Sequence, residues 1–285
     1  MKFYYVNHIG EKIDFGDYPY LFQSGNLLDY KWKYDSSVNK VKNIRKDASE
    51  FTVKIAVMND ISLPLEERKV DFNKNVDRLV EVFETDVLEN TDGKIYTDTG
   101  YYMSCMIVGS KKSSWNMGLP FMFNDLTIVA RNPAWVKEET TIFRASGNTA
   151  LSDNTGKRNL DYDTDYPMDF ASDMTGRNLL NDGFTDVNFE ITIYGGCQNP
   201  EINIAGHKYG VNCQLDTGEY LKINSVTKKI YKVKINGEIV NQYKLRNRDY
   251  YIFKKIPSGK NSVSWNGLFG FDITLIEERS EPKWT

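Results

Sequence analysis

The residues able to do chemistry are few and scattered. There are three cysteines, Cys105, Cys197 and Cys213, and two histidines, His8 and His207. The cysteines form no CxxC pair and are odd in number, which predicts free, partly buried thiols in a chain folded under reducing conditions. His207 lies near Cys213 in the sequence, but in a strand-like stretch that does not by itself bring the two together. Asp161, Asp163 and Asp165 alternate like the opening of a calcium loop. The sixth position, where the turn needs glycine, is Tyr166, and the twelfth, where a bidentate Glu belongs, is Ser172. An acidic surface loop accounts for the run better. Glu277-Glu278 could supply one carboxylate for glycoside hydrolysis, but that reaction needs a second across the scissile bond at a defined separation. No residue is singled out as the second, so the pair reads as a charged strand end. There is no GxSxG, no HExxH, no phosphate-cradling glycine loop and no ligand-spaced Cys/His cluster. The expectation is therefore no catalytic residue, no cofactor and no metal.

The tryptophans offer a different chemistry. Sugars stack their apolar faces on exposed aromatic rings, so Trp32, Trp115, Trp135, Trp265 and Trp284 bear on carbohydrate binding. Buried tryptophan in a β core is the commoner role. Trp265 follows Val263 with one residue between, which puts both on one strand face and favours the core. Trp284 lies in the polar tail ERSEPKWT behind Pro282, and reads as an anchor of the tail to the body or to a neighbouring subunit.

The elements that must position these residues are mainly strands. The chain has 285 residues, 40% hydrophobic and 26% charged, an ordinary globular mix that favours two domains and rules out disorder or a disulfide miniature. Aromatics reach 13%, mostly Tyr and Phe, which suit a half-buried pleated face. Net charge is -3. Up to Lys137 there are 18 basic against 19 acidic residues, and after it 18 against 20, so neither half has the basic footprint of a nucleic-acid surface. The short runs Lys228-Lys229 and Lys254-Lys255 read as solvated strand edges. No run approaches the ~20 apolar residues of a membrane span, and MKFYYVNHIGEKIDF lacks a secretory core. The chain is expected to be made in the cytoplasm and to stay soluble.

Residues 1–34 alternate aromatic and polar types between turn signals, as a meander of short strands does. Phe51, Val53, Ile55 and Val57 share the face of a strand at 51–57. From about Leu65 to Glu89 the period changes, and Phe72, Val76, Leu79, Val80, Phe83 and Val87 form the apolar stripe of a helix. Ser62, Pro64 and Glu66-Glu67 supply an oxygen cap, a first-turn proline and carboxylates at the positive end of the helix dipole; Asp92-Gly93 is the expected stop. Strands are predicted at 101–108 and 120–130. A polar, weakly patterned stretch at 145–182 reads as a junction or loop system. Beyond it, strands are predicted at 188–194, 201–204, 219–225, 228–235, 250–256 and 262–276. Hairpin chemistry at Asn236-Gly237, Ser258-Gly259 and Asn266-Gly267 points to a sandwich or jelly roll.

Two blocks resemble a known family. The opening MKFYYVNHIGEKIDFGDYPYLFQSGNLLDYKWKYD, with GKIYTDTGYYMSCMIVGSKKSSWNMGLPFMFNDLTIVARNPAWVKE, is similar to the N-terminal region of phage distal tail (Dit) proteins, siphovirus-type components of Gram-positive hosts. The later block from GGCQNPEINIAGHKYG to the end, with GEYLKINS and IPSGKNSVSWNG, resembles their C-terminal domain. Most of the chain is covered, with 145–182 matched least.

The resemblance implies a mainly β fold: an N-terminal β-sandwich with one α-helix at 1–137, which forms a ring and attaches to the tail tube, and a C-terminal galectin-like β-sandwich of jelly-roll type at 138–285. It implies a non-catalytic virion protein of the tail tip (baseplate). A hexameric ring would join the tail-tube protein to the tail-associated tip protein and to receptor-binding proteins, with no nucleic acid and no membrane partner. Near-neutral charge suits a ring, because like-charged subunits repel. Subunit contacts are expected at strand edges within 1–34 and 101–130. Galectin-like folds bind sugar through a polar His/Asn/Arg set and a stacking Trp; His207, Asn247, Arg248 and Trp265 are residues of those types here. The alternative function is therefore a carbohydrate-binding adhesion module that contacts host cell-wall saccharide, and a wall hydrolase is a further one.

Overall fold

The computed structural model describes residues 1–116, 119–145 and 177–284. The run Asp161–Asp165 and most of the polar stretch read at 145–182 lie outside them. The end of that stretch, Arg177–Asn181, is a strand instead of loop. The chain forms two compact units, Met1–Lys137 with Glu278–Thr285, and Glu138–Glu277.

In the first unit, strand Phe3–Val6 pairs antiparallel with Lys12–Asp14 on one side and with Gly93–Thr97 on the other. Gly93–Thr97 pairs in turn with the long strand Tyr102–Trp115. Phe121–Ala130 lies between Tyr102–Trp115 and Ser49–Met58, and Tyr20–Gly25 continues the order beyond Ser49–Met58. The period-2 reading explains the core: Phe51, Val53, Ile55 and Val57 are buried, while Glu50 and Thr52 face outward. Within 101–130, where subunit contacts are expected at strand edges, Phe121–Ala130 is paired on both sides. Lys12–Asp14 does sit at an edge, paired with Phe3–Val6 among the described residues. Lys33–Ser37 and Lys40–Arg45 form a separate two-stranded ribbon whose side chains are all exposed.

Helix α1 spans Leu65–Glu89. Phe72, Leu79, Val82 and Phe83 are each at most 6% exposed, and such burial stabilises by about 1.5–3 kcal/mol per large side chain. Both ends differ from the expected signals. Pro64 itself is the N-cap, and the Ser62 hydroxyl bonds the Asp60 carboxylate at 2.7 Å instead of capping the helix. At the other end Asn90, in the left-handed region at φ 51°, closes the helix before Asp92 is reached. The last turn departs from the stripe as well. Val87 is 40% exposed, while Asp86 is fully buried in its place.

In the second unit two antiparallel sheets enclose one core. One contains Asn188–Tyr194 between Tyr220–Asn224 and Phe271–Arg279, then Lys229–Val233 and, at its outer edge, Ile239–Asn241. The other runs in the order Arg177–Asn181, Gly259–Ser264, Glu201–Ile204, His207–Gly210. Phe189, Ile191, Ile223 and Ile273 from the first pack with Leu179, Ile202, Ile204 and Tyr209 from the second. The strand predicted at 262–276 is two strands, because Asn266-Gly267 turns the chain, with Gly267 at φ 77°. The strand predicted at 250–256 is a loop. Its apolar residues Ile252, Phe253 and Ile256 are buried without a ladder, and Ile256 makes an isolated bridge to Val187.

Candidate functional site

The four residues of the carbohydrate reading occupy different settings. Trp265 is half-buried: its indole nitrogen donates to the Phe269 carbonyl at 2.9 Å, and its ring meets Phe143 and Phe271 edge-on at 5.9 and 4.8 Å. That packing makes it part of the core wall. His207 sits on His207–Gly210, with Nε2 at 3.0 Å from the Tyr251 carbonyl and its ring against Tyr209 and Tyr250. Asn247 is tied to the same strand, its N–H donating to the Gly210 carbonyl at 3.0 Å, and its side-chain oxygen accepts from the Asp249 N–H. Arg248, between them, is exposed. The fold thus brings His207 and Asn247 to one neighbourhood, the loop after Leu245, and commits Trp265 to packing.

Beside that loop lies a concentration of aromatic and basic groups. The Arg246 guanidinium stacks 4.0 Å over Tyr243, whose other ring neighbour is Phe253, near-parallel at 6.1 Å. Lys228 rides over Tyr251 and Phe253 at 5.8 and 5.3 Å. A cavity of about 520 Å³ is lined by Lys228, Lys229, Ile230, Asn241, Tyr243 and Lys244. An adjoining one of about 550 Å³ shares Lys229, Ile230 and Asn241. The sequence carries the lysines in plain view, but they are up to sixteen positions apart, and only the Lys229–Val233/Ile239–Asn241 pairing sets them around one hollow.

The first unit holds a polar cluster that sequence reasoning missed. Buried Asp86 accepts from the Tyr5 hydroxyl and from the His8 N–H at 2.9 Å, and its Oδ1 lies 2.5 Å from His8 Nδ1. His8 Nε2 lies 2.9 Å from Glu89. Hydrogen bonding to Asp86 raises the His8 pKa above its ordinary value, against a smaller opposing effect of desolvation. Burial, then the bond to Asp86, raises Tyr5 far above the usual phenol range. The cluster has Phe83 edge-on against Tyr5 and the Cys105 carbonyl at 3.4 Å from its hydroxyl, so it is a packed anchor. Burial raises the Cys105 thiol well above its usual range and the Cys213 thiol to about 11, which disfavours the thiolate at both.

Two apolar surfaces of the first unit are left open. The ribbon Lys33–Arg45 exposes Tyr34, Val38, Val41 and Ile44, with Val38 92% exposed. A hollow of about 550 Å³ between α1 and the strands is lined by Phe72, Val76, Trp115 and Met122, with Trp115 57% exposed. Trp284 is exposed, and its indole N–H donates to Glu281 at 2.6 Å.

No family model matches the sequence, and no curated protein does. Solved structures do match. The Dit protein of phage SPP1, described as a paradigm of the hub adsorption apparatus in phages that infect Gram-positive hosts, aligns with a TM-score of 0.59 at 12% identity, over 97% of this chain and 99% of that one. A chain of the phage P2 baseplate in its activated conformation with Ca aligns with a TM-score of 0.57 at 12% identity over 99% of both chains, as does one from the same baseplate with Sr. At such identity the likeness is one of fold, and it covers nearly the whole of both chains. The chain therefore carries, over nearly its whole length, the mainly β fold of the Dit hub of phage baseplates.

Proposed function

We propose that this chain is the distal tail protein of a siphovirus-type phage tail, a structural hub of the baseplate. The observation that carries the reading is the end-to-end fold match to SPP1 Dit, 97% of one chain on 99% of the other. A shared β-sandwich alone would align one unit. Here the match covers 97% of this chain, and so takes in residues of both units.

In this reading the first unit, an N-terminal sandwich with α1 packed on it, forms a hexameric ring in the virion. The ring attaches to the tail-tube protein and to the tail-associated tip protein, and the second, galectin-like unit meets the receptor-binding apparatus. The Lys33–Arg45 ribbon supports a ring. A two-stranded ribbon exposed on both faces has no core of its own and is marginal in water, but it gains one by lying on a neighbouring subunit. The role in this reading is mechanical, as the fold likeness to a structural hub protein supports.

The test is the mass of the purified protein by light scattering behind a sizing column, across concentration and with tail-tube protein added. A discrete species near six times 32.9 kDa, alone or on the tube protein, is the expected result. A monomer throughout, with no capture by the tube protein, overturns the reading.

A further inference from the structure

We propose that the groove along Lys229–Val233 and Ile239–Asn241 binds a phosphorylated saccharide. The inference goes beyond the hub reading and does not rest on it.

Charge is the first argument. Residues 228–255 hold nine Lys or Arg against two Asp or Glu, leaving 27 basic against 37 acidic residues elsewhere. Two of the nine are already neutralised: Lys232 pairs with Glu219 at 2.9 Å and Lys234 with Glu238 at 3.0 Å. Lys228, Lys229 and Lys244 form no ion pair among the described residues, yet all three line the cavity of about 520 Å³. Like charges gathered at one concavity repel each other, and an anion seated between them turns that repulsion into attraction.

The walls argue for more than a bare anion. Lys228 is held in place: it sits at φ 56° after a turn in which the Asn224 side-chain oxygen accepts from the Val226 and Thr227 N–H groups. Tyr243 is fixed between Arg246 and Phe253. Around the lysines, Asn241, Thr227 and Tyr231 supply neutral hydrogen-bonding groups, and Ile239, 68% exposed, supplies apolar surface. A sugar ring presents hydroxyls at its rim and C–H groups on its faces, and a phosphate beside it meets the ammonium groups. Hollows of about 300–1,000 Å³ are the size of small-ligand sites, and the two adjoining here suit one or a few saccharide units. An acidic protein surface would match the charge but has no need of the hollow. The ligand could be a free sugar phosphate or one unit of a phosphodiester-linked glycan.

The test is a titration of the full isotope-labelled chain followed by amide chemical shifts, with glucose 6-phosphate, inorganic phosphate, glucose, polyglutamate and a phosphodiester-linked glucose phosphate polymer. Glucose 6-phosphate is expected to move the amides of residues 228–231 and 239–244 and to bind more tightly than phosphate or glucose. Tighter binding of the polymer per phosphate identifies the glycan as the source, and equal binding identifies the free sugar phosphate. The variant Lys228→Gln/Lys229→Gln/Lys244→Gln should weaken binding by about tenfold or more, with affinity falling as salt rises. The matched variant Lys69→Gln/Lys74→Gln/Lys111→Gln, at exposed lysines of the first unit, should leave it unchanged. No shift in those amides, equal loss in the two variants, or tighter binding of polyglutamate than of any phosphate ligand would overturn the proposal.

Discussion

Asp86 and His8, 78 positions apart, are joined twice: Asp86 Oδ1 accepts the His8 backbone N–H at 2.9 Å and lies 2.5 Å from His8 Nδ1. Asp86 stands on the last turns of α1, at a place where the apolar stripe would put a hydrophobic residue. Its carboxylate is fully buried and has Tyr5, from the first strand, as a further donor. The pair thus pins the helix to the first hairpin of the sheet. A buried carboxylate is tolerated there because its oxygens are hydrogen-bonded.

This pairing sets a pH dependence. The folded-state pKa of His8 is raised, so its contribution to stability is fully present below the unfolded value of about 6.5. It is lost as pH rises through the raised value. Histidine NMR should place the His8 midpoint above that of an unstructured histidine. Asp86→Asn should move the midpoint down and flatten the stability difference between about pH 6 and about pH 9 in urea unfolding. An unmoved midpoint in the variant would show that Asp86 does not hold the proton.

Gly93 opens the strand beneath this cluster, and a Cβ there would run into both the Asp86 carboxylate and the Tyr5 ring. Gly93→Ala should destabilise the first unit by about 1–3 kcal/mol, the usual cost of overpacking a core. Chemical denaturation measures it, and a loss under about 0.5 kcal/mol, the level of an ordinary surface change, would mean that the cluster is loose.

Trp265→Ala tests whether that ring is structural. Its contacts with Phe143 and Phe271 predict a loss of about 3 kcal/mol, the low end for a large aromatic because the ring is half-buried. Thermal unfolding should register the loss, while His207→Ala at its more open position costs less. The reverse order would return Trp265 to the candidate ligand contacts.

Val41→Ser/Ile44→Ser addresses assembly. Val41 and Ile44 are 59% and 63% exposed on the ribbon, so the monomer should keep its melting temperature. The ring mass in light scattering should fall to that of the monomer. A ring of unchanged mass would move the subunit contact elsewhere, with the Trp115 hollow next in line.

Much of the fold is legible because secondary structure follows local periodicity. The stripe Phe72, Val76, Leu79, Phe83 marks the body of α1, and alternation marks Ser49–Met58 and Asn188–Tyr194 closely. Where the two part, a long-range partner overrides the local signal. Residues 250–256 have the composition of a strand, but Ile252 and Phe253 find their burial in the core without a neighbouring strand to pair with. Ser62 has the chemistry of a helix cap, and Asp60 takes its hydroxyl first.

The candidate sites divide in the same way. By itself the sequence determined that the chain is mainly β with one long helix, that it carries none of the familiar catalytic motifs, and that Trp265 faces the same way as Val263. All of these depend on residue types at fixed short spacings. Only the tertiary structure decided that Asp86 is buried against His8 and Tyr5, and that Lys228, Lys229 and Lys244 surround one hollow. The physical reason is that burial and electrostatic fields are summed over neighbours in space, and strand pairing makes neighbours of residues that the sequence keeps far apart.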